Sequence, residues 1–195
     1  MKDRQNKFLV IAAPSGAGKG TLIKHLLDVF PWLELSISAT TRQEIRPGEQ
    51  DGVHYHFLSP EKFQEKIDND EFLEWEEFYG GKRYGTLKSE VDRISNKGHV
   101  ALFELEVKGA LNLKKMYGDR AELVFVRVPS LEVLEKRLRA RGTEDETKIA
   151  YRMERAAYEV SLEDQFDHVV LNDNLATAKK DIEDLVRGIF GNQDA

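Results

Sequence analysis

Residues 8–21 read FLVIAAPSGAGKGT, and the fold class follows from them. Phe8 to Ala13 is an unbroken apolar run of six residues, which is how a strand buried on both faces reads. Ala13-Pro14-Ser15-Gly16-Ala17-Gly18-Lys19-Gly20-Thr21 comes next, and apolar residues at 23, 26, 27 and 30 then recur with helical spacing. A strand, a small-residue loop and a helix start together make an anion site. Backbone N–H groups can approach phosphate oxygens, the helix N-terminus carries partial positive charge, and Lys19 can reach the outer oxygens of a polyphosphate. The regular pattern is G-x-x-x-x-G-K-[ST], and this chain departs from it twice. Ala13 replaces the first glycine, and Gly20 replaces the hydroxyl residue after Lys19. The second change removes the side chain that usually touches Mg²⁺. Either Thr21 substitutes for it, or the ion is held by phosphates and water alone. The plain alternative is a glycine-rich turn with no ligand, and the coincidence of strand, glycines and lysine weighs against it.

Working outward, three more apolar runs match the first: VALFEL (100–105), ELVFVRV (122–128) and HVVLN (168–172). Helical patterns alternate with them. Leu131, Leu134 and Leu138 follow Pro129-Ser130, with Gly142 as a stop. Thr143-x-x-Glu146 has the form of a capping box ahead of the stripe Ile149, Met153, Ala156 and Val160, and Leu175 to Ile189 is a last amphipathic helix. Strands alternating with helices predict an α/β fold with a parallel sheet covered on both faces. The stretch from Leu35 to Thr86 differs. It holds short β-like pieces (SISATT, VHYHFL, FLEWEEF), turn signals at Pro47-Gly48 and Gly80-Gly81, and one helix begun by Ser59-Pro60. The expected organisation is a core from residues 1–34, 87–129 and 159–195, a β-rich inserted lobe at 35–86, and a helical, arginine-rich insertion at 130–158.

Composition narrows the partners. The 195 residues suffice for a real core. Asp plus Glu number 35 against 29 Lys plus Arg, so a nucleic-acid partner is not expected, and an anionic small substrate needs a local arginine cluster. With no cysteine, disulfides, thiolate metal sites and cysteine nucleophiles drop out. The run at 8–13 is too short for a membrane span and lacks a signal-peptide cleavage pattern after it. The expected location is the cytoplasm, with no membrane partner.

Beyond the loop, the sequence resembles guanylate kinases along nearly its whole length. The likeness runs in family order through SISATTR (36–42), RPGEQDGVHYHF (46–57), FLEWEEF (72–78), GGKRYGT (80–86), RLRARGTE (137–144) and VVLND (169–173). It implies a P-loop kinase fold, transfer of the γ-phosphoryl group of ATP to GMP (and to dGMP on the same logic) with Mg²⁺, and a role for each matching residue. Glu74 would accept from guanine N1–H and its 2-amino group, a donor pair that adenine lacks. Ser38 and Thr86 would reach the base. Arg42 and Arg46, with the phenols of Tyr55 and Tyr84, would hold the GMP phosphate. Glu106 would lie near the GMP base or the Mg²⁺ waters, and Glu104 is a second candidate on the metal side. Asn172 would serve the ATP side, together with residues 13–21.

Two departures stand out. Three residues separate Arg42 from Arg46 where the family usually has two, and glutamates occupy positions 104 and 106 where it commonly has aspartates. Singly, Glu74 reads as a solvated glutamate, the tyrosines as lobe core or surface, and Ser38 as an ordinary strand hydroxyl. In the order of the resemblance they read as a base site.

The arginines of the second insertion complete the expectation. Arg137 and Arg141 are spaced i, i+4 on one helical face, and Arg152 and Arg155 follow. Clustered cations suit the charge that spreads over a phosphoryl group in flight. The resemblance assigns phosphate contacts to Arg137, Arg141 and Arg152, places Arg42 near the transferred group, and leaves Arg139 and Arg155 as surface residues with glutamate partners. Two other functions remain open: a P-loop kinase for another monophosphate or a ribose bisphosphate, and a non-catalytic module of the same fold that binds phosphopeptides. The intact Gly16, Gly18 and Lys19 argue against the second.

Overall fold

The computed structural model describes residues 7–78, 80–140 and 146–191. In chain order the elements are β1 (Phe8–Ala12), α1 (Lys19–Val29), β2 (Leu33–Leu35), β3 (Ala39–Thr40), β4 (His56–Phe57), α2 (Pro60–Asp68), β5 (Phe72–Phe78), β6 (Lys82–Leu87), α3 (Lys88–Ser95), β7 (Val100–Leu105), α4 (Val107–Tyr117), β8 (Ala121–Arg127), α5 (Leu131–Ala140), α6 (Glu146–Val160), β9 (His168–Leu171) and α7 (Leu175–Phe190).

The core sheet runs β2-β7-β1-β8-β9, every pair parallel. β1 lies at its centre, and all five of its residues are buried. Successive side chains point to opposite faces. Leu9 and Ile11 join Leu22 and Leu26 of α1, Leu134 and Leu138 of α5, and Ile182 and Val186 of α7. Phe8, Val10 and Ala12 join Ile94 of α3 and Val107, Ala110 and Leu113 of α4. With helices on both faces no position on β1 meets water, which is why its sequence is continuously apolar. The four apolar runs are four of the five strands. The fifth, β2, is a three-residue edge strand, Leu33-Glu34-Leu35, paired with Val100 to Leu102. It carries the core sheet one residue beyond the expected boundary at 34, and so short a piece leaves no periodic signal.

The inserted lobe carries its own sheet, β4-β3-β6-β5. SISATT and VHYHFL contribute only two strand residues each, because the chain around them is occupied with loops. α2 begins as Ser59-Pro60 predicts, with the Ser59 hydroxyl accepting from the Lys62 N–H at 3.3 Å. Ala39, Phe63, Phe72 and Leu87 make a small separate core, in which the rings of Phe63 and Phe72 stack 4.4 Å apart. α5 and α6 pack on each other at the other end. Ser130 starts α5, its hydroxyl accepting from the Val133 N–H at 3.4 Å. Thr143, the expected cap of the next helix, and Arg141 lie outside the described residues. None of the described helices is long and apolar enough to cross a membrane.

Candidate functional site

The loop between β1 and α1 takes its shape from two glycines. Gly16 and Gly18 have φ of +97° and +92°, the left-handed region that side chains avoid. Space is equally restrictive. A Cβ on Gly18 would sit 2.4 Å from Asn172 Nδ2, and one on Gly16 would sit 3.0 Å from Leu138 Cδ2. Gly18 caps α1 with no side-chain hydrogen bond, and the first turn of the helix holds no acidic residue. Its leading N–H groups are therefore available to an anion. Gly20, where a hydroxyl usually stands, faces open space. Asn172 is buried and donates to the Ala17 carbonyl at 2.7 Å. It braces the loop from the end of β9, and the Arg137 guanidinium in turn donates to the Asn172 carbonyl at 2.9 Å.

Lys19 reaches across to β7. Its ammonium donates to the Leu105 carbonyl at 3.0 Å and lies 3.7 Å from the Glu104 carboxylate. A cleft of about 430 Å³ runs over the loop, lined by Ala13 to Gly16, Gly18 to Thr21, Glu104 and Glu106. Among the described residues no group of three or more acidic, histidine or cysteine side chains could hold a metal by itself. The donors present, the Thr21 hydroxyl and the Glu104 and Glu106 carboxylates beside a phosphate cradle, fit a hydrated Mg²⁺ that arrives with its phosphates.

On the lobe side, strand register builds the second wall. Glu74 pairs with Thr86, Glu76 with Tyr84 and Phe78 with Lys82, so one face of the β5–β6 hairpin carries Glu74, Glu76, Lys82, Tyr84 and Thr86. A cavity of about 350 Å³ is lined by Glu74, Glu76, Lys82 and Tyr84 from that face, by Ser38, Arg46 and Tyr55 from the rest of the lobe, and by Lys19, Glu104 and Glu106 from the core. Gly109 of α4 lies against it, where a Cβ would touch Glu74 Oε2 at 3.4 Å; Gly85 faces the other side of the hairpin, where a Cβ would meet Trp75 Cβ and the Glu74 carbonyl at 2.7 Å each.

The Thr86 hydroxyl, fully buried, donates to Glu74 Oε1 at 2.8 Å. Thr86 thus orients the carboxylate rather than lining the cavity. Burial pushes the Glu74 carboxyl up to about 7; nearby Glu76 adds to the rise, and the Thr86 hydroxyl works against it.

Arg42 is only 4% exposed and does not line the cavity. Both Glu49 oxygens take its Nη2 at 2.8 Å, the Glu44 carbonyl takes its Nη1, and it lies over the rings of Tyr55 and Phe57 at 5.4 and 5.3 Å. Glu49 also accepts from the Arg46 N–H at 2.8 Å, so one carboxylate organises both arginines. The extra residue between them is absorbed in the exposed stretch Gln43-Glu44-Ile45.

From α6, two arginines reach toward the site. Arg152 donates to the Ser15 hydroxyl of the loop at 2.8 Å. Arg155 donates to Glu106 at 3.1 Å and to buried Glu159 at 2.8 Å. A cavity of about 600 Å³ lies between, with Ser15, Tyr151, Arg152 and Arg155 in its wall. The expectation that Arg155 is a surface residue therefore needs correcting. A buried carboxylate one turn on fixes it toward the site, where a solvated pair was expected. Arg139 does sit on the surface, paired with Glu135 and Glu146.

Sequence reasoning also passed over Glu76 and Lys82. The alternation of β5 and β6 could have found both, since they share a face with Glu74 and Tyr84.

Comparisons with known proteins agree with this geometry. The family model described as guanylate kinase matches residues 5–188. A guanylate kinase of Chlorobaculum tepidum is 49% identical over 171 residues, covering 88% of this chain and 87% of its own. One of Chlorobium chlorochromatii is 44% identical over 185 residues, covering 95% and 96%. The crystal structure of guanylate kinase from Anaplasma phagocytophilum superposes with a TM-score of 0.71 at 26% identity, over 93% of this chain and 85% of that one. A shikimate kinase from Bacteroides thetaiotaomicron, at 12% identity and a TM-score of 0.50, shares the fold alone. A phosphate loop on a five-stranded parallel sheet, a lobe whose Glu74 lines the adjoining cavity, and a family match spanning both place the chain in the guanylate kinase family.

Proposed function

We propose that this chain transfers the γ-phosphoryl group of ATP directly to GMP, giving ADP and GDP. One observation carries the reading. The phosphate-loop cleft and the Glu74 cavity share a wall, because Lys19, Glu104 and Glu106 line both. Two nucleotides placed in them present phosphates to each other across a single ammonium.

ATP takes the loop, with backbone N–H groups and Lys19 on its phosphates. GMP takes the lobe cavity. Ionised Glu74 accepts from N1–H and the 2-amino group, and Ser38 lies on the same wall. Arg46, Tyr55 and Tyr84 surround the phosphate end, with Arg42 setting the tyrosine ring from behind. Mg²⁺, when bound, screens the phosphate charge; Thr21 and Glu104 are the residues placed to hold its waters. Arg152 already touches Ser15 of the loop and is the cation best placed for the charge that develops during in-line transfer; Arg137 acts through Asn172. No general base is needed, because alignment and fixed positive charge supply most of the rate. The same contacts accept dGMP, since none of the side chains named is assigned to the ribose 2′-hydroxyl. The reaction belongs in the cytoplasm.

ADP release from ATP, measured with GMP, dGMP, AMP, CMP, UMP and ribose bisphosphate in turn, tests the reading. Turnover with the two guanine nucleotides and little with the rest is expected. Comparable rates with AMP would remove Glu74 from the base pocket. The phosphopeptide-binding alternative has no support here, since it leaves Gly16, Gly18 and Lys19 without a purpose.

A further inference from the structure

Both crossings between the core sheet and the lobe sheet meet at one buried carboxylate outside the nucleotide clefts. The first crossing is short. Leu35 still pairs with Leu102, and the Ser36 N–H donates to the Leu102 carbonyl at 2.9 Å. By Ala39 the chain pairs with His56 and Gly85 in the lobe sheet. Ile37 and Ser38 span the gap. The second crossing is Leu87, where β6 ends and α3 begins.

Glu90 stands in the first turn of α3, 5% exposed. Its Oε2 accepts from the Ile37 N–H at 3.0 Å and from Arg93 Nη2 at 2.9 Å. Its Oε1 accepts from Arg93 Nε at 3.0 Å and lies 3.4 Å from His56 Nε2. The His56 backbone N–H donates to the Ser38 carbonyl at 2.9 Å. One carboxylate therefore holds the Ser36–Ile37 peptide and faces the imidazole of the residue whose backbone holds the Ser38–Ala39 peptide. Arg93 is itself anchored on Glu34 of β2, which ties the arrangement to the core sheet. Glu90 and Ile94 share the buried face of α3, one turn apart. An apolar residue at 90 would satisfy packing there. A buried carboxylate is costly unless its lone pairs are matched, and the partners matched here are the lobe crossing and its anchor.

We infer that Glu90 is a positioning residue of the acceptor site: it fixes the Ile37–Ser38 crossing so that the Ser38 hydroxyl faces the base, without touching the nucleotide itself. The inference rests on the reading that the Glu74 cavity takes GMP. The test is a cycle of the full chain, Glu90→Ala, Ser38→Ala and the double variant, with kcat and both KM values measured. Glu90→Ala is expected to raise the KM for GMP about tenfold and to leave the KM for ATP within about twofold. In the double variant the two GMP penalties should overlap rather than add. Glu90→Gln, which keeps a carbonyl for the Ile37 N–H, should recover most of the loss. Should Glu90→Ala not fold, Glu90→Leu keeps the packing without the acceptors and should show the same GMP defect. Additive penalties, equal rises in both KM values, or a folded Glu90→Leu with an unchanged KM for GMP would each overturn the inference. Absence of GMP turnover in the unaltered chain would remove the reading of the cleft and this inference together. GMP turnover with additive penalties would remove the inference alone.

Discussion

The Glu74 carboxyl should make GMP binding depend on pH in a range where most carboxylates do not titrate. Burial raises it to about 7 in the free protein, and only the ionised form offers two acceptors to guanine. Apparent affinity then follows the ionised fraction. Between pH 8 and pH 6 that fraction falls from about nine-tenths to about one-tenth, so the Kd for GMP should rise about tenfold, about 1.4 kcal/mol. At pH 7 about half a proton should leave the protein for each GMP bound. The GMP phosphate also titrates near pH 6, so the reference is Glu74→Gln, which keeps the phosphate's own titration and loses the protein's. Calorimetry in two buffers of different ionisation enthalpy reads the proton count directly. A Kd that stays flat from pH 8 to pH 6.5, or proton uptake on binding, would refute the reasoning.

The same shift has a consequence for stability. Below the ordinary carboxylate value both folded and unfolded chains carry a neutral Glu74, and the group contributes nothing. As pH rises toward 7 the unfolded chain ionises first, so stability is lost across that interval, and the penalty persists above it. Glu74→Gln should therefore stabilise the free protein at pH 8 by about 1–3 kcal/mol in urea unfolding and by much less at pH 4.5.

Lys19→Ala should lower kcat by roughly 10²–10³, about 3–4 kcal/mol of transition-state stabilisation, while GMP still binds; near-normal turnover would contradict the shared wall. Gly18→Ala should abolish ATP binding, because its Cβ meets Asn172 Nδ2 at 2.4 Å and its φ of +92° opposes any side chain; pairing it with Asn172→Ala relieves the contact but not the backbone, so recovery should be incomplete in a nucleotide-binding titration. Arg152→Ala should cut kcat by about tenfold or more, with the KM for GMP nearly unchanged, as steady-state kinetics would report. Thr86→Val removes the hydroxyl that lowers the Glu74 carboxyl, so the pH midpoint for GMP binding should move upward from about 7.

The parts of this molecule that were legible in its sequence are those whose physics is local. The phosphate loop announces itself because strand, glycines and lysine are consecutive, and β1, β7 and β8 do so because burial on both faces leaves a nearly uninterrupted apolar run; β9 has the same apolar look but is an edge strand that buries only Val170 and leaves Val169 and Leu171 exposed. β2 left no mark, since its three residues are held by pairing with β7 and not by their own pattern. Glu74 could be named only through resemblance; its raised carboxyl value comes from burial in a cavity roofed by Gly109, with Glu76 adding to the rise and Thr86 opposing it, residues brought together by register and packing. Arg42 and Arg155 mark the same limit from opposite sides. By residue type both are solvated cations, and what each does is decided by a glutamate: Glu49 draws Arg42 into the lobe among aromatic rings, and Glu159 turns Arg155 inward onto Glu106. Residue type supplied the charge in each case, and its direction came from a carboxylate partner. For that reason the productive place to look for further determinants of this site is among its buried carboxylates, of which Glu90 ties the most segments together.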